Sequence, residues 1–356
     1  MKKIAIALIL TLVLGIFAGC SGDVVVIGGC TCPTGGHNNP TQPTDPAPQP
    51  TGTTIHALKT GLAVVCSTAK STNAEKADYD VTLVAVLVDD DGIIRDCIID
   101  SIGASVEFDA TGTITSDVTA PLKTKNELGY DYHMKDYGNA VAEWFEQADA
   151  LAQYAIGKTV AELKNGAVDS TGYAPDGSDL ASSATIYLGG YVSAIEVAVS
   201  NAKHLGAQAG DELRLAAMPS LKSSVSATAE KAGTAQLDCD ATALTVKDGV
   251  ITSCYIDSLQ AKVEFGTDGV ITKGVSSAVE TKNQLGERYG MVSWGGAIAE
   301  WNEQAASFAS YITGKTAAEV AGIAVDAGTK PTGADLVSSV TIAIGGFQAL
   351  IAKALA

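Results

Sequence analysis

The sequence predicts an α+β protein made of two tandem repeats, each an antiparallel β-meander packed with helices. Three observations predict it. The first is recurrence at long range. Thr124-Lys125-Asn126-Glu127-Leu128-Gly129 returns as Thr281-Lys282-Asn283-Gln284-Leu285-Gly286, and Glu143-Trp144-Phe145-Glu146-Gln147-Ala148 returns as Glu300-Trp301-Asn302-Glu303-Gln304-Ala305. Trp144 and Trp301 lie 157 positions apart, so the repeating unit has the size of a domain rather than of a solenoid turn. The second is a pair of β-branched runs around Asp-Gly in each half, a hairpin signal. The third is apolar spacing at three- and four-residue steps further on in each half, which makes one helical face.

The elements follow in order. Residues 1–20 read as an export signal: Lys2 and Lys3 precede an apolar run over 4–18, too short and wrongly flanked for a comfortable transmembrane helix. The run ends in Phe17-Ala18-Gly19-Cys20, which resembles the lipobox of bacterial lipoproteins, so Cys20 is the expected lipidation site and the membrane an expected partner through that anchor. Residues 21–54 are rich in Pro, Thr and Gly and read as a disordered tether. A coil of that length spans about 30 Å at 5–6 Å × √n. The expected address is the outer, extracytoplasmic face of a cell membrane.

Repeat domain 1 is expected over 55–205 and repeat domain 2 over 210–356. In the first, residues 79–88 and 93–99 flank Asp91-Gly92, and a separate third strand follows at 104–108. In the second, residues 241–246 and 250–256 flank Asp248-Gly249, with a third strand at 261–265. Helices take over next. Val141, Trp144, Ala148, Leu151 and Ala155 share one face of a helix expected over 139–154, and Gly157 suits its C-terminal stop. Thr159-Val160-Ala161-Glu162 and Thr316-Ala317-Ala318-Glu319 read as capping boxes. Short strands at 184–188 and 340–344 are expected to lead through Gly189-Gly190 and Gly345-Gly346 into last helices over 191–202 and 347–355.

Composition narrows the function. The apolar share of 46% against 18% charged residues is that of a globular chain. The net charge of −17 makes nucleic acid and anionic lipid surfaces poor partners. Export permits disulfides, but Cys97 and Cys254 fall in apolar strands and read as buried free thiols. No cysteine pair has CxxC spacing and the four histidines do not cluster, so metal binding is not expected.

The residues retained in both halves are the candidates for chemistry: Lys125/Lys282, Glu143/Glu300, Trp144/Trp301, Glu146/Glu303 and Gln147/Gln304. Glu143 and Glu146 share a helix surface, as acid–base work or a favourable helix N-terminus would want. Trp144 lies on the apolar face and is expected in the core. Gly157-Lys158-Thr159 lacks the earlier glycines of a phosphate loop and is rejected as one. No Ser/His/Asp or Cys/His set recurs, so no catalytic residue is assigned.

Each half closes on a small-residue segment, Asp179-Leu180-Ala181-Ser182-Ser183-Ala184-Thr185 and Asp335-Leu336-Val337-Ser338-Ser339-Val340-Thr341. These resemble the flavinylation motif of the FMN-binding domain family, Asp-x-x-Ser-Gly-Ala-Thr ahead of a helix. The Asp-Gly hairpins and the strands ending in Ile99-Asp100 and Ile256-Asp257 are similar to that family's sheet. The resemblance implies FMN esterified to Thr185 and Thr341, with Ser182, Ser183, Ser338 and Ser339 beside it, and a membrane-anchored electron carrier with a redox or envelope protein as partner. Ser183 and Ser339 stand where the family has glycine. The alternative reading is a non-catalytic binding or structural module of the cell envelope without cofactor.

Overall fold

A computed structural model describes residues 57–138 and 140–356. The signal segment, Cys20 and the 21–54 tether lie outside the described residues. The described residues form one unit. It is mixed α and β, with two antiparallel sheets.

The first sheet has strands β1 (Lys59–Ser67), β2 (Lys76–Val88) and β3 (Ile94–Glu107) in the order β1-β2-β3. The second has β4 (Glu212–Ser220), β5 (Gly233–Lys247), β6 (Val250–Phe265) and β7 (Ile271–Lys273), in chain order. The Asp-Gly hairpins join β2 to β3 and β5 to β6, and Gly92 (φ +79°) and Gly249 (φ +79°) take the left-handed conformation these turns require.

Both faces of both sheets are covered, so the strands read as near-continuous apolar runs. Leu62, Val64, Tyr79 and Leu83 of the first sheet meet Leu237, Leu259, Val263 and Phe265 of the second in one buried layer. Phe108 and Phe265 stack across it with ring centroids 4.2 Å apart. Thr60 and Ser253 share a buried hydroxyl hydrogen bond of 2.6 Å between the sheets. The alternate residues of each strand face helices: Val84, Val86 and Ile94 on one side, Leu244, Ile251 and Ile256 on the other. The layers therefore run helix, sheet, sheet, helix. Helices cover one side of each sheet, and the other side is the partner sheet.

The first half carries α1 (Lys125–Leu128), α2 (Met134–Gly138), α3 (Trp144–Ala155), α4 (Val160–Gly166), α5 (Asp179–Ser183) and α6 (Gly189–Asn201). The second carries α7 (Lys282–Leu285), α8 (Trp301–Ile312), α9 (Ala317–Ala321), α10 (Ala334–Val337) and α11 (Gly345–Ala354). The capping boxes at Thr159 and Thr316 are formed. Helix α6 lies so close to β1 that a Cβ on Gly61 would collide with the Ala198 carbonyl, which fixes glycine there.

Four expectations change. Strands β1 and β4 were not assigned from sequence, although Leu62-Ala63-Val64-Val65 is an apolar run; β4 holds Pro219, which a sheet tolerates because β4 is an edge. The strands expected at 104–108 and 261–265 are not separate: Phe108 makes an isolated bridge to Ile114, and residues 104–107 and 261–265 are the ends of β3 and β6. Their polar middles stay in the ladder because Asp100 and Asp257 receive backbone N–H groups from α1 and α7. Helix α3 begins five residues later than its apolar spacing suggests, because Glu143 is extended and acts as its N-cap. Residues 184–188 and 340–344 are irregular: a glutamine side chain, not a strand, receives their backbone N–H groups.

Candidate functional site

The retained glutamates build loops. Glu143 is buried, and its carboxylate accepts the Met134 N–H at 2.8 Å and the Lys135 N–H at 3.1 Å. Glu300 accepts Met291 N–H at 2.9 Å and Val292 N–H at 3.0 Å. Glu146 and Glu303 fold back onto the N–H of Glu143 and Glu300 as reciprocal caps. Carboxylates so occupied hold a loop against a helix start; the pair is neither an exposed ornament nor a free acid and base.

Gln147 and Gln304 do the same for the last segments. Gln304 is fully buried. Its Oε1 accepts the Thr341 N–H at 2.8 Å and the Ile342 N–H at 3.2 Å, while its Nε2 donates to the Ala299 carbonyl at 2.8 Å. Gln147 binds Thr185, Ile186 and Ala142 in the same way. Trp144 and Trp301 are core residues, as expected, and each carries a lysine on its ring, Lys125 Nζ and Lys282 Nζ at 4.9 Å from the centroids.

This geometry decides how the flavin-like segments sit. Residues 179–183 are helix α5, and Ser182 Oγ donates to the Asp179 carbonyl at 2.6 Å. Neither Ser183 nor Ser339 has positive φ, so serine is unstrained where the family has glycine. Ser339 Oγ donates to the Leu336 carbonyl at 3.3 Å, and Ser338 is exposed. The hydroxyls of Thr185 and Thr341 donate to Gln147 and Gln304 at 3.3 and 3.2 Å. A Cβ on Gly189 would meet Tyr187 Oη at 2.7 Å, and one on Gly345 would meet Thr329 Cβ at 2.9 Å, so those side chains cover the helix starts a phosphate would approach. Thr185 is exposed and Thr341 half-buried, so an esterified FMN would require the side chains of Tyr187 and Thr329 to move aside.

A cleft of about 770 Å³ lies elsewhere, between the halves. One wall is the end of α6 and the connector after it, with Asn201, Lys203 and His204. The facing wall comes from β6, α7 and α8, with Tyr255, Asp257, Asn283, Gln284, Asn302 and Glu303. Asp257 is buried, and its Oδ1 accepts the Ser258 N–H at 2.7 Å and the Asn283 N–H at 3.1 Å. Burial nevertheless pushes its carboxyl up to about 6, and burial also raises the Tyr255 phenol to about 12. Lys203 Nζ sits 5.3 Å from the Tyr255 ring centroid, and His204 meets Asp90 at 3.0 Å. The Asn302 Oδ1 atom is buried with no hydrogen-bond partner among the described residues.

At the matching place in the first half Phe145 stands for Asn302, its ring edge-on to Tyr130 at 5.2 Å, and Glu127 pairs with Lys353. A shallow open depression shares Ala306 and Ser310 with the cleft and reaches Asp335 and Ser339; Thr185 and Thr341 line neither. Sequence reading missed the cleft. The one signal was the exchange of Phe145 for Asn302 inside an otherwise retained motif.

Cys66, Cys97, Cys239 and Cys254 are buried free thiols. Among the described residues no group of side chains is arranged to hold a metal, and no helix is long and apolar enough to cross a membrane. No family model, curated protein or solved structure matches the chain.

Proposed function

We propose that this is a lipid-anchored, extracytoplasmic binding protein, formed by two copies of one α+β unit that enclose a small polar ligand between them. The observation that carries the reading is the cleft between the halves, with Tyr255, Asn283, Gln284 and Asn302 in its wall. Its volume falls in the range of small-molecule sites, roughly 300–1,000 Å³. Gln284 spends its Oε1 on the Thr281 N–H at 2.9 Å, which leaves its Nε2 as a donor toward the cleft. The wall thus offers both donors and acceptors and suits a ligand carrying both.

Substrate conversion finds no support in this wall. Its one carboxyl with a raised pKa, Asp257, already binds two backbone N–H groups, and no nucleophile–base pair faces it. The anchor at Cys20 and the export signal supply the address, and the acidic charge argues against nucleic acid. An envelope protein that delivers or receives the ligand is the partner this reading implies. The flavin-carrier reading rests on the sequence of 179–185 and 335–341 alone.

Native mass spectrometry of the chain purified from membranes tests the reading, comparing wild type with Asn302→Phe. The variant puts the first half's phenylalanine into the cleft. A small-molecule mass on the wild type that the variant lacks is the expected result. An equal load on both chains, or no load on either together with no thermal shift by sugars, amino acids or nucleotides, refutes it.

A further inference from the structure

We propose that the Trp294 loop is a lipid-contact tip, seating its indole in the headgroup boundary of a zwitterionic bilayer to which the chain is tethered. The proposal rests on the reading that Cys20 carries lipid. Residues 291–299, Met-Val-Ser-Trp-Gly-Gly-Ala-Ile-Ala, contain no charged side chain, in a chain of which 18% is charged. Trp294 is 88% exposed, with Val292 at 45% and Ile298 at 57%. Large apolar side chains gathered on one loop need a reason beyond chance exposure.

The backbone argues for lipid rather than for a strand-pairing protein. Met291 and Val292 N–H are bound by the buried Glu300 carboxylate. The N–H groups of Trp294, Gly295, Gly296 and Ala297 are bound by carbonyls of Gly290, Met291, Val292 and Met291. The loop therefore keeps these donors to itself and presents apolar side chains outward. A segment entering the edge of a bilayer needs that, because unsatisfied amides are costly there. A partner that adds a strand would need those donors free. Tryptophan, with a large apolar ring and one polar N–H, is the side chain that prefers the membrane–water boundary. The negative net charge excludes anionic lipid as the natural surface and leaves zwitterionic headgroups.

Residues 21–54, if a coil as their composition predicts, would span about 30 Å r.m.s. and keep the bilayer at high effective concentration, so that one weakly binding indole suffices. The first half shows the contrast. Its loop exposes Tyr137 at 85% but includes Lys135 and Asp136, charges that lipid would reject.

The chain has three tryptophans, and Trp144 and Trp301 are buried at 1% and 6% exposure. Quenching by brominated acyl chains therefore reads Trp294. The full lipidated chain is reconstituted in phosphatidylcholine vesicles with and without brominated lipid. The expected result is a loss of part of the emission in brominated vesicles that the Trp294→Ser chain does not show, with Trp294 shielded from acrylamide. Equal emission in both vesicles, or full acrylamide access, overturns the proposal. Quenching that persists in Trp294→Ser overturns it too, because another tryptophan then meets the lipid. An intact mass without acyl groups removes the anchor, and with it the proposal, and is read separately from the quenching.

Discussion

Replacing Gln304 by leucine tests whether one carboxamide organises the end of the second half. The side chain is fully buried and has nearly the volume of leucine, so the change removes polarity and little packing. It leaves the Thr341 and Ile342 N–H groups and the Ala299 carbonyl without the partners they have at 2.8, 3.2 and 2.8 Å. An orphaned buried polar group costs about 1–3 kcal/mol, and the lower half of that range applies because Thr341 and Ile342 are only half-buried. Three such groups sum to about 3–6 kcal/mol, a large part of the roughly 5–15 kcal/mol that holds a native fold together. In urea, with a slope of about 3 kcal/mol/M, the unfolding midpoint falls by about 1–2 M. Circular dichroism of Gln304→Leu against wild type measures it. Thr341→Val is the control: it removes only the 3.2 Å hydroxyl contact and leaves the backbone bonds, so its cost stays under about 1 kcal/mol. A midpoint shift below about 0.3 M for Gln304→Leu, or an equal shift for Thr341→Val, refutes the assignment of this glutamine as the organiser.

Three further outcomes follow from the same geometry. Asp257 holds its proton in the folded state up to about pH 6 against an ordinary value of 3.8, so between these values the folded chain binds the extra proton and stability falls as pH rises. Asp257→Asn removes that term, and denaturation titrations at pH 4 and pH 8 are expected to show the variant gaining about 2 kcal/mol on wild type across the window; no change in the difference refutes the raised pKa. Glu300→Gln turns an acceptor into a donor facing either the Met291 or the Val292 N–H, so limited proteolysis within 291–299 is expected to quicken at least tenfold, about 1.4 kcal/mol of lost local stability. Co-expression with a flavin transferase, followed by an absorption spectrum and intact mass, is expected to give a colourless chain without an FMN adduct; a yellow chain that loses its adduct in Thr185→Ala or Thr341→Ala overturns the geometric argument against the flavin.

Legibility was uneven for physical reasons. Local signals were read well. The Asp-Gly turns need left-handed backbone, and the Thr159 and Thr316 boxes close within one helical turn. Trp144 declared its burial by helical spacing. Elements without a short-range signal were read badly. Strand β1 pairs with the next strand, β2, but the connection over 68–75 carries no Asp-Gly turn, and residues 184–188 are held by a side chain some 38 positions earlier. Glu143 looked like an exposed helical acid because spacing alone does not reveal that the chain before it folds back over the carboxylate.

By itself the sequence determined the α+β class, the Asp-Gly hairpins and the capped helices, because these depend on contacts within a few residues or on the period of a single element. Tertiary structure decided the rest. It set the sheets face to face, turned the retained glutamates and glutamines into loop holders, and left Asn302 in a cleft where the first half has an aromatic ring. Those outcomes depend on which surfaces meet across some 150 residues, and burial makes the same carboxyl or carboxamide an anchor in one place and an unmatched group in another.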